Sequence, residues 1–416
     1  MIGDPRATIH EYLAAHRGEQ TRFLADLVKV PSDNPPGDCA PHALRAAALL
    51  EQLGFEVARH PVPEALVHAN GMISCVNLLI REPFGTGPTI ACNAHGDVVP
   101  PGTGWTTDPY GGEVRGGRMY GRGVAVSKSD FATYAYALLA LKTAAADGAR
   151  IHGAIELHFT YDEEAGGAIG PAWLLRQGLS KPDYAFSAGF AYGITTAHNG
   201  CLHLEVEVLG KSGHAAEPEK GTDALEAANG VLSDLYTLRK SYGAIRSRTA
   251  GITSPTLVVG LIEGGINTNV VPDRAVFRLD RRIIPEENPA EVEAMLTRAL
   301  QAAAAKWPGV TVNVRRILLA QPFVPIAGQE ILVAAIRKNA RVVLGEDIQT
   351  HGVPLYTDAR HYSAAGVPTV LYGAGPRTLV EANGHRADEN LKLDDLYKAT
   401  EVVALSLYDL LAAKPQ

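Results

Sequence analysis

Apolar residues in the first half of the chain alternate between the spacing of strands and that of helices. Two runs, at 88–97 and 153–164, stay apolar until they end in polar residues, as strands buried on both faces do. The segment between them has helical spacing and ends at Gly148, a helix stop signal. A further strand is predicted at 369–376 and a closing helix at 392–412. This order predicts an α/β fold with a mostly parallel sheet covered by helices.

A segment in the middle of the chain follows a different pattern. A half-exposed strand is followed by a helix, two strands, a second helix and a last strand. The second helix begins with Asn288 as N-cap and Pro289 at its first position. The order β-α-β-β-α-β is a split βαβ unit and predicts a small inserted domain. The predicted boundaries are 1–196 and 317–416 for the catalytic domain and 197–316 for the insert.

Composition and charge exclude several classes of function. The 416-residue chain has a formal net charge of −7 without long blocks of like charge, so a basic nucleic-acid-binding face is not predicted. No apolar run reaches the ~20 residues of a membrane span, and the N-terminal segment lacks a signal-peptide core. We therefore expect a cytoplasmic protein that acts on a small molecule, with neither nucleic acid nor membrane as partner.

The four cysteines, Cys39, Cys75, Cys92 and Cys201, are scattered along the chain. They are too few for a disulfide framework, and they lack the CxxC spacing of cysteine zinc sites. We expect four buried thiols and no cysteine-based zinc site.

Polar residues follow three of the predicted strands. His95 and Asp97 end the first run, Glu163 and Glu164 end the second, and His385 follows the strand at 369–376. Ligands of parallel α/β sheets bind beyond the carboxyl ends of the strands, so these side chains are expected to meet. Two histidines and a carboxylate form a common catalytic zinc set. One glutamate can bind the metal while the other takes a proton from water, and Asp97 can orient the imidazole.

Six stretches of the chain occur in the order of a known family. They are "HGDVVPPGTGWTTDPYGGEVRGGRMYGRG" with a lysine at 128, "TYDEEAGG", "HNGCLHLEVEVLGKSGHA", "GGINTNVVPDRAVFRLDRR", "YTDAR" and "HRADEN". Together they resemble the dizinc metallohydrolases that include aminoacylase, succinyl-diaminopimelate desuccinylase, acetylornithine deacetylase and carboxypeptidase G. The resemblance implies a phosphorylase/hydrolase-like catalytic domain with an inserted ferredoxin-like α+β lid domain. It also implies a homodimer or higher homo-oligomer that forms through the lid.

The resemblance also implies roles for single residues of the catalytic domain. His95 matches a ligand of the first metal, and Glu164 and His385 match ligands of the second. Glu163 matches the general base, and Asp97 matches the acid behind the first histidine.

In the lid domain, His214 matches the histidine that contacts the substrate carbonyl, often from the partner subunit of a dimer. Asn269 matches the lid asparagine at the substrate. Arg282 and Arg360 are candidates for binding a substrate carboxylate. For both arginines, an ion pair with the aspartate two residues before it is the alternative.

Two carboxylates of the family pattern are lost in this chain. Val126 stands where the family has the aspartate that bridges the metals, and Gly189 aligns with another ligand of the first metal. The first metal keeps His95 alone. Two dications require acidic ligands between them, so we predict one divalent ion per subunit, zinc, manganese or cobalt, on His95, Glu164 and His385. Asp130 is the best candidate to replace the lost ligand.

Weaker candidates for that replacement are His198, Ser127 and Ser129, and the serines alternatively cap the following helix. The predicted function is metal-dependent hydrolysis of a C–N bond, amide or N-acyl, in a small carboxylate-bearing substrate. Three alternatives stay open: an aminohydrolase acting on an aromatic amino acid such as a nitroanthranilate, an inactive metal-free binding protein, and ordinary dizinc chemistry with other ligands.

Overall fold

A computed structural model describes residues 4–412 of the chain. Contacts divide it into two units, each with its own hydrophobic core. The first takes the chain up to Thr196, Pro325–His351 and the part from Thr357 onward. The second takes Ala197–Val324 and Gly352–Tyr356. Within residues 4–412, no helix is both long enough and apolar enough to cross a bilayer.

The strands, in chain order, are β1 (Ala58–Pro61), β2 (Val76–Pro83), β3 (Thr89–His95), β4 (Glu113–Arg115), β5 (Arg118–Tyr120), β6 (Ala154–Thr160), β7 (Tyr184–Ser187), β8 (Ile194–His198), β9 (Gly200–Leu209), β10 (Gly213–His214), β11 (Thr256–Gly264), β12 (Val270–Val271), β13 (Arg274–Ile283), β14 (Thr311–Ala320), β15 (Thr350–Val353), β16 (Thr369–Leu371) and β17 (Asn390–Lys392).

The α-helices are α1 (Pro5–Ala15), α2 (Arg17–Val28), α3 (Ala40–Gln52), α4 (Glu64–Ala69), α5 (Lys128–Ala146), α6 (Pro171–Arg176), α7 (Ala224–Ser241), α8 (Pro289–Ala304), α9 (Gln329–Val343), α10 (Ala359–Ala364) and α11 (Leu393–Leu411).

The main sheet of the first unit has the order β1-β2-β6-β3-β7-β16-β8-β15. Its four central strands, β6, β3, β7 and β16, are parallel. Every residue of β3 and β6 is buried, which explains why both read as nearly continuous apolar runs. Helix α5, also mostly buried, packs against the sheet and against α1, α2 and α11. The predicted α/β class with a mostly parallel sheet is confirmed.

The register of the parallel strands determines where the polar residues meet. His95 pairs with Thr160 at the ends of β3 and β6, and Ser187 at the end of β7 pairs with Leu371 at the end of β16. The segments after these strands therefore leave the sheet at one edge.

The second unit has a four-stranded antiparallel sheet in the order β11-β13-β9-β14. Helices α7 and α8 pack on the face lined by the apolar residues of β9. Asn288 caps α8 through a hydrogen bond from the Ala290 N–H, as predicted, with Pro289 next to it. The predicted β-α-β-β-α-β order is confirmed. The unit extends to Val324, beyond the predicted boundary at 316, because β14 runs through that position.

Candidate active site

His95 ends the buried strand β3 with its ring turned toward a pair of glutamates. Its Nδ1 lies 2.9 Å from the main-chain oxygen of Asp97. That contact holds the proton on Nδ1 and leaves Nε2 free to bind a metal. Nε2 lies 3.9 Å from Oε2 of Glu163.

Asp97 connects the loop after β3 to the turn after β6. Its carboxylate accepts the N–H groups of Glu163 at 3.2 Å and Glu164 at 3.1 Å. Asn34 donates to the same carboxylate at 3.0 Å. Oδ1 of Asp97 is 3.4 Å from Nδ1 of His95, so the main-chain oxygen is the closer acceptor. Asp97 thus orients the two glutamates as well as the imidazole.

The 3₁₀ turn Glu163–Ala165 carries both glutamates and is supported by an arginine. Arg360 is only 4% exposed, and it donates to the carbonyls of Gly166 and Thr357. His361 also contacts the Gly166 carbonyl. These contacts make Arg360 a support of the turn.

His385 approaches Glu164 from the loop after β16. Its Nε2 lies 3.7 Å from Oε1 of Glu164, and its side chain is 53% exposed. Its φ of 62° is uncommon for a residue with a side chain, and such backbone often marks functional positions.

Glu389 fixes the loop of His385 to the loop that precedes α5. It accepts from the Arg122 guanidinium at 2.5 Å and from the N–H groups of Gly123 and Ala125 at 3.1 and 3.0 Å. Sequence reasoning assigned no role to Glu389 or to Asn34, although Glu389 lies in the "HRADEN" stretch. Its position in that stretch could have identified Glu389 as a site residue. No motif in the sequence points to Asn34.

The titration behaviour of the site reflects crowded negative charge. Burial raises the pKa of Glu163, and burial together with the neighbouring Glu163 raises the pKa of Glu164 well above its usual range. Burial opposes a charged imidazole at His95, but the carboxylates of Glu163 and Asp97 raise its pKa well above the usual value. A bound cation would relieve this repulsion among the carboxylates.

Donor atoms of His95, Glu163 and Glu164 lie within 4.8 Å of one another. His385 extends this group through Glu164. Imidazole nitrogens and carboxylate oxygens suit zinc, manganese or cobalt, so the residues fit a divalent ion. Glu164 is the common partner among the ligands that the resemblance implies. Its carboxylate lies near the ring of His95 and near the ring of His385.

Val126 and Gly189 lie where the family pattern has metal-binding carboxylates. Val126 is half-buried. A Cβ on Gly189 would lie 2.7 Å from the Leu371 carbonyl carbon and 2.7 Å from the Tyr372 nitrogen. The space for a carboxylate side chain at 189 is therefore taken by backbone.

Asp130 lies next to the same backbone. Its Oδ1 accepts the Ala374 N–H at 2.8 Å, and a Cβ on Gly373 would lie 1.9 Å from that oxygen. Burial raises the pKa of Asp130 to about 7. Among residues 4–412, the donor group around His95 does not include Asp130.

The other proposed replacements have different contacts. Ser127 Oγ accepts from the His95 N–H at 3.3 Å, so it supports the strand end instead of capping α5 with its side chain. The ring of His198 contacts the Asn199 carbonyl in the second unit. Ser129 is buried in the first turn of α5.

In the second unit, β10 and β12 bring His214 beside Asn269: the Ala215 N–H donates to the Asn269 carbonyl at 3.0 Å, and both side chains are exposed. Arg282 Nε lies 3.0 Å from Asp280 Oδ1, so this arginine forms the ion pair that was its alternative role.

Comparisons with known proteins identify the family of the chain. The model of peptidase family M20/M25/M40 matches residues 91–409. An acetylornithine deacetylase of Proteus mirabilis is 31% identical over 78% of this chain and 79% of its own. A succinyl-diaminopimelate desuccinylase of Rhizorhabdus wittichii is 30% identical over 90% and 94%.

Solved structures show the same fold. An M20 family metallo-carboxypeptidase from Sulfolobus solfataricus superposes with a TM-score of 0.75 at 20% identity, over 94% of this chain and 100% of its own. Human carnosine dipeptidase 1 gives 0.73 at 18% identity, over 98% and 99%. The chain thus belongs to peptidase family M20/M25/M40, whose members are metal-dependent hydrolases of amide and peptide bonds.

Proposed function

We propose that this chain hydrolyses the amide or N-acyl bond of a small carboxylate-bearing compound with one divalent ion per subunit, held by His95, Glu164 and His385. The observation that carries the proposal is the asymmetry of the site. The ligands matched to the second metal, Glu164 and His385, stay in contact. Of the ligands matched to the first metal only His95 is kept, and the other positions have Val126 and the backbone-filled Gly189.

When bound, the ion supplies a Lewis acid that activates water and polarises the carbonyl. Glu163 takes the proton of the attacking water and delivers it to the leaving nitrogen, so that an amide and water become an acid and an amine. A carboxylate can accept a proton and then release it, so Glu163 is suited to both transfers. Asp97 holds Glu163 in place through its N–H.

Substrate recognition belongs to residues of the second unit in this proposal. The resemblance assigns the developing oxyanion to His214 and a further contact to Asn269. Of the two arginines, Arg282 suits a substrate carboxylate better, because it stays partly exposed while paired with Asp280, whereas Arg360 donates to two carbonyls. A guanidinium can bind a carboxylate through two hydrogen bonds.

Metal analysis combined with a hydrolysis panel tests the proposal. Protein purified without added metal is compared with its His95→Ala variant, and both are assayed on N-acetyl, N-succinyl and dipeptide substrates. We expect His95→Ala to lose one equivalent of metal and the hydrolytic activity. Loss of two equivalents would indicate a dinuclear centre, and an unchanged metal content would refute the assigned ligands.

A further inference from the structure

A second cluster of metal-binding groups lies on the sheet of the second unit. In the antiparallel pair of β9 and β13, His203 is opposite Asp280 and Cys201 is opposite Arg282. Residues two apart on a strand share a face, so these four side chains project from the same side of the sheet. The intervening Leu202 points to the other side, into the core beneath α7 and α8.

The donor atoms of three of these residues already converge. His203 Nε2 lies 3.0 Å from Asp280 Oδ2, and Cys201 Sγ lies 3.7 Å from the same oxygen. All three donor atoms lie within 4.8 Å of one another. Metal bonds of 2.0–2.3 Å in a tetrahedron separate neighbouring ligand atoms by about 3.3–3.8 Å. Changes of up to about 1.5 Å in the separations of the donor atoms would therefore complete the geometry.

We propose that Cys201, His203 and Asp280 form a binding site for a thiophilic divalent ion, Zn²⁺ or a metal of similar chemistry, with water as the fourth ligand. A thiolate, an imidazole and a carboxylate form a donor set that Zn²⁺ accepts, whereas Mg²⁺ and Mn²⁺ prefer oxygen ligands. On binding, the thiol of Cys201 releases its proton to solvent and the sulfur becomes a ligand.

Arg282 occupies the outer sphere of this site. Its Nε lies 3.0 Å from Oδ1 of Asp280, while Oδ2 faces His203 and Cys201. One oxygen can thus bind the ion while the other keeps the guanidinium, the usual arrangement of a supported carboxylate ligand. The thiolate and the carboxylate together offset the two charges of the dication, and the guanidinium leaves the cluster with a net charge of +1.

This inference departs from the sequence analysis, which expected no cysteine-based zinc site. That expectation considered the spacing of cysteines along the chain. The ligand set arises instead from the register between β9 and β13, which brings Asp280 beside His203 from 77 residues away.

The site also changes how a metal count must be interpreted. It shares no metal ligand with the proposed active site, so protein that carries two ions could hold one at each site without a dinuclear centre. A count of two equivalents therefore becomes informative only when it is combined with variants of each site.

Titration with Cd²⁺ tests the inference directly, because cadmium bound to a thiolate gives a charge-transfer absorption in the ultraviolet. Full-length protein stripped with chelator is titrated in the presence of excess Mg²⁺. We expect about one equivalent of the thiolate band in the unmodified chain, and the same band in His95→Ala and in Cys92→Ser, which removes a different buried thiol. Cys201→Ser is expected to abolish the band.

A second variant guards against misfolding of Cys201→Ser. His203→Gln alters a side chain that is 34% exposed and is expected to weaken cadmium binding by at least about tenfold. Circular dichroism verifies that each variant is folded. The inference is overturned if the unmodified chain gives no thiolate band at saturating Cd²⁺. It is equally overturned if the band persists in Cys201→Ser or if the affinity is unchanged in His203→Gln.

Discussion

The two sides of the candidate active site differ in whether carboxylate side chains are present and held by hydrogen bonds. On the side of Glu163 and Glu164, the N–H groups of both residues bond to the buried Asp97, and both side chains stay near His95. On the side of Val126 and Gly189, the positions that the resemblance aligns with two family carboxylates contain an apolar side chain and tightly packed backbone. We propose that this second side has been rebuilt, since simple loss of ligands would leave space behind.

Charge explains why the two losses belong together. Two dications ~3.5–4 Å apart repel each other by about 15–20 kcal/mol at an effective dielectric constant of 20. Bridging and flanking carboxylates offset that repulsion in a dinuclear site. The proposed absence of two of them is the reason for proposing a single ion on the intact side.

The largest expected effect comes from the base on the intact side. Glu163→Gln keeps the shape of the side chain but cannot accept the proton of water, so we expect turnover to fall by about 10²–10⁴-fold. The metal content stays unchanged, because the assigned ligands are untouched. Steady-state kinetics and metal analysis on the same preparation measure both quantities.

Glu64→Gln, an exposed glutamate of α4, serves as the matched control and leaves kcat unaltered. Turnover that survives in Glu163→Gln would show that another group accepts the proton.

The next effect tests the rebuilt side. Gly189→Ala adds a Cβ that would lie 2.7 Å from two backbone atoms, so we expect the free energy of unfolding to fall by about 1–3 kcal/mol. Gly189→Glu costs more, and combining it with Val126→Asp does not restore a second ion. Chemical denaturation and metal analysis measure these outcomes.

Gly18→Ala in α2 is the control for this series, since no heavy atom lies within 4 Å of its added Cβ. A stable Val126→Asp/Gly189→Glu variant that gains an equivalent of metal would contradict the view that this side has been rebuilt.

Sequence patterns were sufficient for the intact side and insufficient for the rebuilt one. The apolar runs of β3 and β6 and the polar residues at their ends follow from periodicity and from the strand-end rule. The contacts of Asp130 and Arg360 with particular backbone groups depend on how loops pack after the strands are in place. The resemblance predicts which carboxylates are missing, whereas the packing around Gly189 shows what occupies that position.

A smaller effect is expected where the intact side is supported. Asp97→Asn keeps the size of a side chain that bonds to the turn of Glu163 and Glu164 but removes its charge. We expect the affinity for metal at the active site to fall by about 10–100-fold, as for other groups that orient ligands. Competition with a fluorescent chelator measures the dissociation constant.

Asp395→Asn, which alters a buried aspartate bonded to Tyr192, is the control and leaves metal affinity unchanged. An Asp97→Asn protein with full affinity would mean that the glutamates need no such support.

The smallest effect is a dependence of stability on pH that originates at Asp130. Burial raises its pKa to about 7 in the folded chain from 3.8, so the folded state holds this proton more tightly than the unfolded state. The resulting contribution to the free energy of unfolding is complete below pH 4 and is lost as the pH rises through about 7. Between pH 6 and 8 the loss amounts to about 1–2 kcal/mol.

Asp130→Asn cannot ionise but can still accept the Ala374 N–H, so this part of the pH dependence disappears in the variant. Urea denaturation of metal-free protein at several pH values compares the two slopes, with the exposed Asp394→Asn as the control for loss of a carboxylate. If Asp130 were instead ionised at a ligand position, added metal would flatten or reverse the wild-type slope, because metal binding to the folded state strengthens as the pH rises, and the variant would bind metal more weakly. Parallel slopes in wild type and variant would show that Asp130 has the same pKa in the folded and the unfolded chain. The buried contact with the Ala374 N–H would then not explain why Asp130 lies beside the backbone of Gly189.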